Sequence, residues 1–245
     1  MTGAAHRSID EALVYPAGRT LPRDLSRGAA FLVDKPKGDT SFAVVRAVRR
    51  AAKQKKVGHA GTLDPLATGL LIVLVARPAT RLQDAFMAQR KTYTGTLRLG
   101  EVTPSYDAET AVTARADASH ITDAALAEAL GAFQGTIMQR PPMYSAVRVD
   151  GERLYKKARR GETVDRPPRQ VTIYDATITA RDGADVSFRV ECSKGTYIRS
   201  LAHDLGQALG VGAHLTALRR TAIGAYRVAD AWPLDVLCDA LDDHP

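Results

Sequence analysis

The chain has 245 residues, 45% hydrophobic and 25% charged, and at that size it can bury its own core without metals or disulfides. Such values exclude a disordered or fibrous chain. A formal net charge of +7 favours nucleic acid or an anionic membrane surface as partner, although it also fits many unrelated soluble enzymes.

Residues 1–28 lack periodicity and carry Pro16 and Pro22, so a loosely packed extension is expected, with the main domain spanning 29–245. Asp10, Glu11, Arg19, Arg23, Asp24 and Arg27 leave no apolar segment there for a secretory signal. Ala30–Asp34 predicts a short buried strand, and Lys35-Pro36-Lys37-Gly38 a turn. Thr40 or Ser41 can cap a helix whose apolar positions are Val44, Val45, Val48 and Ala52. That helix carries Arg46, Arg49, Arg50 and Lys53, followed by Lys55 and Lys56, with no acid between Ser41 and Val57. Solvated helix faces normally mix signs, so this one argues for an anionic ligand, with a merely soluble surface as the alternative.

Gly58 to Gly69 reads as a glycine-rich loop around Asp64. Pro65 keeps Asp64 out of the helical region and fixes it in a turn, although an Asp-Pro turn alone is ordinary punctuation. Leu70–Val75 predicts a central strand buried on both faces, and 79–88 a helix behind it. The run from Leu70 to Ala76 is the longest apolar stretch and is far too short to span a bilayer. Lys91–Leu99 alternates, with Tyr93, Gly95, Leu97 and Leu99 on one face of a half-buried strand. Thr122–Phe133 predicts a helix.

Between Gln139 and Gln170 stand nine cations, Arg140, Arg148, Arg153, Lys156, Lys157, Arg159, Arg160, Arg166 and Arg169, against four acids, Asp150, Glu152, Glu162 and Asp165. Tyr144 and Tyr155 lie among them. Basic and aromatic side chains together suit a surface that tracks a nucleic-acid backbone, but on charge alone a flexible solvated insertion reads equally well. Val186–Ser193 predicts a strand, and Thr196 a cap for a helix from Tyr197 to Leu209 that places Arg199 near its start. His214, Leu218, Arg219 and Arg220 fall on a second short element. Cys192 and Cys238 form no ligand spacing and read as reduced thiols in a reducing, cytoplasmic compartment.

The six His are scattered, and neither a metal-ligand spacing, a phosphate-binding glycine motif nor a serine nucleophile elbow occurs. No metal and no cofactor are therefore expected. What remains is a loop carboxylate, edge tyrosines, an arginine at a helix start and basic surfaces. A carboxylate kept ionised beside a reacting centre can act as nucleophile or stabiliser, and an aromatic ring can stack a flat base. That combination fits modification of a nucleobase that must first be flipped out.

Four separated motifs then become recognisable: Phe31–Gly38; Gly58–Gly69; Lys91-Thr92-Tyr93 followed by Leu99-Gly100; and Cys192–Leu201 with Gly212-Ala213-His214-Leu215 and Leu218-Arg219-Arg220. Their order and spacing resemble the TruB-type tRNA pseudouridine synthases over about Phe31–Arg227. The resemblance implies an α+β (mixed α/β) fold around a largely antiparallel sheet, with a cleft across it and a basic thumb insertion at about 139–170. It implies isomerisation of uridine 55 in the tRNA T-loop, with Asp64 as the essential aspartate, Tyr93 stacking on the base and Arg199 as partner of Asp64. His59 would fill the vacated stack, Tyr197 and Leu218 would line the pocket, and Lys35 would support the loop or the RNA backbone. Arg140, Arg148, Arg153, Lys156, Lys157, Arg159 and Arg160 would meet the RNA backbone as the thumb. The chain stops soon after Trp232-Pro233-Leu234, so a C-terminal PUA domain is not expected. A monomer acting on tRNA without guide RNA or membrane follows. The rival readings are a module that clamps and folds tRNA independently of catalysis, and a nucleoside hydrolase that would release free uracil.

Overall fold

The computed structural model describes residues 8–145, 148–149 and 151–243, and the side chains of Arg148, Val149, Arg153, Lys156 and Arg159 lie outside the described set, as do residues 1–7 of the expected extension. In chain order the principal elements are β1 (Ala29–Lys35), α1 (Ser41–Ala51), β2 (Val57–Ala60), β3 (Thr68–Val75), α2 (Ala76–Thr80), α3 (Gln83–Ala88) and β4 (Lys91–Leu99). There follow α4 (Asp123–Gly131), β5 (Gly135–Gln139), α5 (Leu154–Arg159), β6 (Arg169–Asp182), β7 (Asp185–Cys192), α6 (Ile198–Ala208), β8 (Ala213–Ile223) and α7 (Leu234–Asp242). The fold is mixed α/β with a large, mostly antiparallel sheet, as expected. The chain divides into two compact units, one running through Thr92 and resuming at Arg219, the other Tyr93–Leu218.

In the first unit β3 is central. It pairs antiparallel with β1 from Ala29↔Val75 to Lys35↔Gly69 and with β2 from Val57↔Val75 to Ala60↔Ile72, while the end of β8 joins it in parallel at Arg219↔Thr68 and Arg220↔Gly69. Side chains alternate across a strand, so Leu71, Val73 and Val75 pack with Phe31 and Val33 against Val44, Val45 and Val48 of α1 and Leu237 and Leu241 of α7. Leu70, Ile72 and Leu74 pack on the other face with Ala30, Leu32, Ala79, Leu82 and Phe86. This two-sided burial is why 70–75 reads as an unbroken apolar run. Each valine so buried stabilises the unit by about 1.5–3 kcal/mol relative to exposure. Thr40 caps α1, its Oγ1 accepting from the Ala43 N–H at 3.0 Å.

Three features of this unit depart from the sequence reading. Part of residues 8–28 packs on the sheet: Val14 and Tyr15 are buried and pair in parallel with Ala30 and Phe31, and Trp232 Nε1 donates to the Tyr15 carbonyl at 3.2 Å. The expected helix over 79–88 is two short helices, because the Leu82 N–H bonds the Ala79 carbonyl at i−3 and tightens the turn between them. Gly58 and His59 belong to strand β2 rather than to the loop.

The second unit orders its strands β8–β4–β7–β6–β5. Its core includes Leu97 and Leu99 of β4, Leu126 and Leu130 of α4, Val186, Phe188 and Val190 of β7, and Leu201 and Leu205 of α6. Tyr93, Leu97 and Leu99 are buried along β4 while Arg98 is exposed, as the alternation predicts. Thr196 does not cap α6; its hydroxyl bonds the Ser193 carbonyl at 3.0 Å, and Tyr197 occupies the cap position. The element carrying His214 and Leu218 is an eleven-residue strand, longer than expected.

Candidate active site

In the first unit the loop from Gly61 to Ala67 hangs between β2 and β3 with Asp64 half-buried near its middle. Arg220, 1% exposed, fastens both stems: its Nε donates to the Leu70 carbonyl at 2.7 Å and its Nη2 to the Gly61 carbonyl at 3.0 Å. Gly69 has φ +100°, and a Cβ there would lie 2.3 Å from the Arg220 carbonyl oxygen, so only glycine lets the two backbones approach. The buried Ser41 hydroxyl accepts from the Leu63 N–H at 2.8 Å and donates to the Leu63 carbonyl at 3.0 Å, fixing the residue before Asp64. The Asp64 carbonyl accepts from the Ala67 N–H at 3.1 Å and the Pro65 carbonyl from the Gly38 N–H at 2.9 Å. The backbone on both sides of Asp64 is thus anchored.

Lys35 is fully buried, and its ammonium donates to the carbonyls of Pro36 and Asp39, each at 2.7 Å, which shapes the turn leading into α1. His59 is half-buried on β2, its carbonyl accepting from Gln83 Nε2 at 3.0 Å. Burial, helped by the positive charge of Arg220, holds its imidazole below the usual histidine range, so it is neutral at pH 7. Arg219 makes a two-point pair with Asp34 at 2.6 and 3.0 Å and reaches Thr68 Oγ1 at 3.3 Å.

In the second unit Arg199 sits in the first turn of α6 and is 5% exposed. Its Nη1 donates to the Ser105 carbonyl at 3.0 Å, its Nη2 to the Tyr144 carbonyl at 2.8 Å, and its Nε lies 3.4 Å from Asp107 Oδ2. Asp107, 1% exposed, also accepts from Ser105 Oγ at 2.6 Å and the Glu109 N–H at 3.0 Å. A buried guanidinium–carboxylate pair is costly unless further hydrogen bonds satisfy its polar atoms, and the bonds to Ser105, Tyr144 and Glu109 contribute to that. Beside it, Tyr106 adopts φ 64° and stacks on His203 at 3.8 Å. The sequence reading missed Asp107; the one available signal was the polar run Thr103–Thr110, unusual for a strand connection.

Tyr197 is locked by Gln139, which accepts from its N–H at 2.8 Å and donates to its carbonyl at 3.0 Å. Ser200 Oγ donates to the Arg140 carbonyl at 2.8 Å, so α6 also holds the start of the basic insertion. Tyr93 and Leu218 are buried on the paired strands β4 and β8. In the insertion, Arg140 pairs with Asp165 at 2.6 Å, and Arg160 pairs with Glu152 at 2.8 Å and Glu162 at 2.7 Å, all at exposed or half-exposed side chains. The hydrogen bonds that Arg160 donates to those two glutamates raise its pKa. Lys157 is partly exposed, whereas the side chains of Arg148, Arg153, Lys156 and Arg159 lie outside the described residues. Among the described residues, no group of three or more His, Cys, Asp or Glu could hold a metal ion, and no helix is long and apolar enough to cross a membrane.

Residues 49–198 match the family described as TruB family pseudouridylate synthase (N terminal domain), and residues 199–244 match the tRNA pseudouridylate synthase B C-terminal domain. The chain is 49% identical to the tRNA pseudouridine synthase B of Corynebacterium aurimucosum over 225 residues, covering 90% of this chain and 74% of that protein. It is 52% identical to the protein of the same name from Thermobifida fusca over 214 residues, covering 84% and 73%. Among solved structures it resembles a chain of a Cbf5-Nop10-Gar1 complex with TM-score 0.69 and 30% identity, covering 96% of this chain and 61% of that one. The archaeal box H/ACA sRNP Nop10-Cbf5 complex gives TM-score 0.64 at 30% identity, with 88% and 54% covered. The chain belongs to the TruB family of pseudouridylate synthases.

Proposed function

We propose that this chain isomerises uridine 55 of the tRNA T-loop to pseudouridine, with Asp64 as the essential group. The observation that supports this most is the anchoring of Asp64 in a chain of this family: both loop stems and both neighbouring residues are hydrogen-bonded, which suits a carboxylate that must meet a reacting atom with little freedom. The base is flipped out of the RNA, its N1–C1′ bond breaks, the base turns, and a C5–C1′ bond forms. The proton leaves C5 and one is gained at N1, so the product has the mass of the substrate.

The remaining roles are proposed from the resemblance of the motifs to the family's. Tyr93 offers its ring to the flipped base, a contact worth about 1–3 kcal/mol per base. Arg199 supplies fixed positive charge, Tyr197 and Leu218 line the base pocket, neutral His59 fills the vacated stack, and Lys35 supports the loop. The insertion's Arg140, Lys157 and Arg160, with Arg148, Arg153, Lys156 and Arg159, meet RNA phosphates. The enzyme works as a cytoplasmic monomer on tRNA without a guide RNA, a reading supported by its higher identity to the tRNA pseudouridine synthase B proteins than to the Cbf5 chains. Carbodiimide mapping of a tRNA transcript treated with the pure protein should give one labelled position, in the T-loop, with RNA mass unchanged. Release of free uracil would instead indicate a hydrolase.

A further inference from the structure

The outward face of α1 carries a feature that the isomerisation does not use. Val44, Val45, Val48 and Ala51 are buried, whereas Phe42, Arg46, Arg50 and Lys53 are exposed. Phe42, Arg46 and Arg50 stand at i, i+4 and i+8, which keeps them on one side of the helix over roughly 12 Å, and Lys53 follows just past the helix end. Lys55 and Lys56, also exposed, continue the series. Arg49 is different, because its Nη2 donates to the Val57 carbonyl at 3.0 Å.

Among the described residues no carboxylate forms an ion pair with Arg46, Arg50, Lys53, Lys55 or Lys56, whereas Arg98, Arg115, Arg140, Arg160, Arg181 and Arg189 each hold an Asp or Glu. Like charges four residues apart destabilise a helix, so the fold itself gives no reason for the stripe. Phe42 is 57% exposed, and the Arg46 guanidinium lies 5.5 Å from its ring centroid. An exposed ring with an arginine over one face, beside cations that hold no carboxylate, is suited to a base that leaves the stack next to its phosphates. The stripe also begins at the Asp64 loop, since Ser41, the neighbour of Phe42, holds Leu63. On the α7 side, Asp235, Asp239 and Asp242 surround Cys238 together with Arg50, and these acids would repel a polyanion there.

We propose that the outward face of α1 from Phe42, with the residues that follow the helix as far as Lys56, is an RNA-docking surface, which holds the sugar–phosphate backbone of a tRNA stem next to the Asp64 loop while Phe42 stacks on an unpaired base. The proposal rests on the RNA-modifying reading above. Phosphate contacts position an RNA without reading its sequence, so this surface sets where the substrate lies rather than which base reacts.

The test measures binding of a tRNA transcript by the complete chain, as wild type and as Arg46→Glu/Arg50→Glu/Lys53→Glu, across a series of salt concentrations. Arg77→Glu/Arg81→Glu serves as the control for net charge at exposed sites, and thermal melting verifies that each variant folds. The triple variant should bind at least about tenfold more weakly near 0.1 M salt, with a log–log salt slope shallower by about 2.7, from about 0.9 per lost phosphate contact. The control should stay within about twofold of wild type. Wild-type affinity and slope in the triple variant, or equal weakening in the control, would overturn the surface. So would a triple variant that keeps tRNA binding and loses binding only to anionic vesicles. Pseudouridine mapping with the wild type on the same transcript separates the two readings: no pseudouridine with α1-dependent binding removes the proposed reaction and leaves the surface, and the reverse pattern removes the surface alone.

Discussion

The Asp64 loop and the basic insertion arrange their polar groups in opposite ways. The loop is held by buried groups, Ser41 on Leu63 and Arg220 on Gly61 and Leu70, whose bonds have no water to compete with them. The insertion displays Arg140 and Arg160 in ion pairs that water and salt reach easily. A buried donor is expensive to leave unpaired, so it fixes geometry. An exposed pair is worth little, so its arginine can exchange a carboxylate for a phosphate. Rigid placement therefore belongs to the loop, and adjustable attraction to the insertion.

The largest stability effect should come from Gly69→Ala. Its methyl group would enter the Arg220 backbone, and the left-handed φ adds strain, for a loss of about 3 kcal/mol or more by denaturant unfolding. Ser41→Ala should come next, at about 1–3 kcal/mol, because the Leu63 N–H is left buried without its acceptor. Its kcat should fall more than its KM rises if the hydroxyl acts by placing Asp64; a change in KM alone would break the comparison. Arg140→Gln/Arg160→Gln should shift stability by less than about 1 kcal/mol yet weaken tRNA binding and flatten its salt dependence. A stability loss as large as that of Ser41→Ala would show the insertion to be built like the loop.

The smallest effect concerns pH. His59 has a folded pKa below its unfolded value, so the folded state binds fewer protons, and stability is full above about pH 6.5 and declines as pH falls below it. His59→Gln should flatten that acid limb in melts taken across pH 5–7.5. An unchanged limb would show that His59 titrates as freely in the folded chain as in the unfolded one.

Much of this architecture was legible where local pattern and burial coincide. Leu70–Val75 read as a doubly covered strand because both faces are apolar, and α1 read correctly because its valines recur at helical spacing and Thr40 precedes them. The motif around Asp64 pointed to the loop, but not to what anchors it: Ser41 lies 22 residues from Leu63 and Arg220 lies 159 from Gly61. Long-range partners leave no periodic trace. The same applies to Gln139, which satisfies Tyr197 from 58 residues away, and to Asp107, whose pairing with Arg199 no spacing foretold. The Gly58-His59 pair read as loop because glycine outweighed its neighbours, although β3 supplied a partner strand.

In the proposed reaction the anchored Asp64 performs the chemistry. The most direct measurement is single-turnover pseudouridine formation by Asp64→Asn on a T-loop-containing tRNA transcript, with tRNA affinity measured in parallel. The rate should fall at least about 10³-fold below wild type with affinity retained, as expected when a nucleophile is removed from an intact site. Pseudouridine formed at the wild-type rate would contradict it.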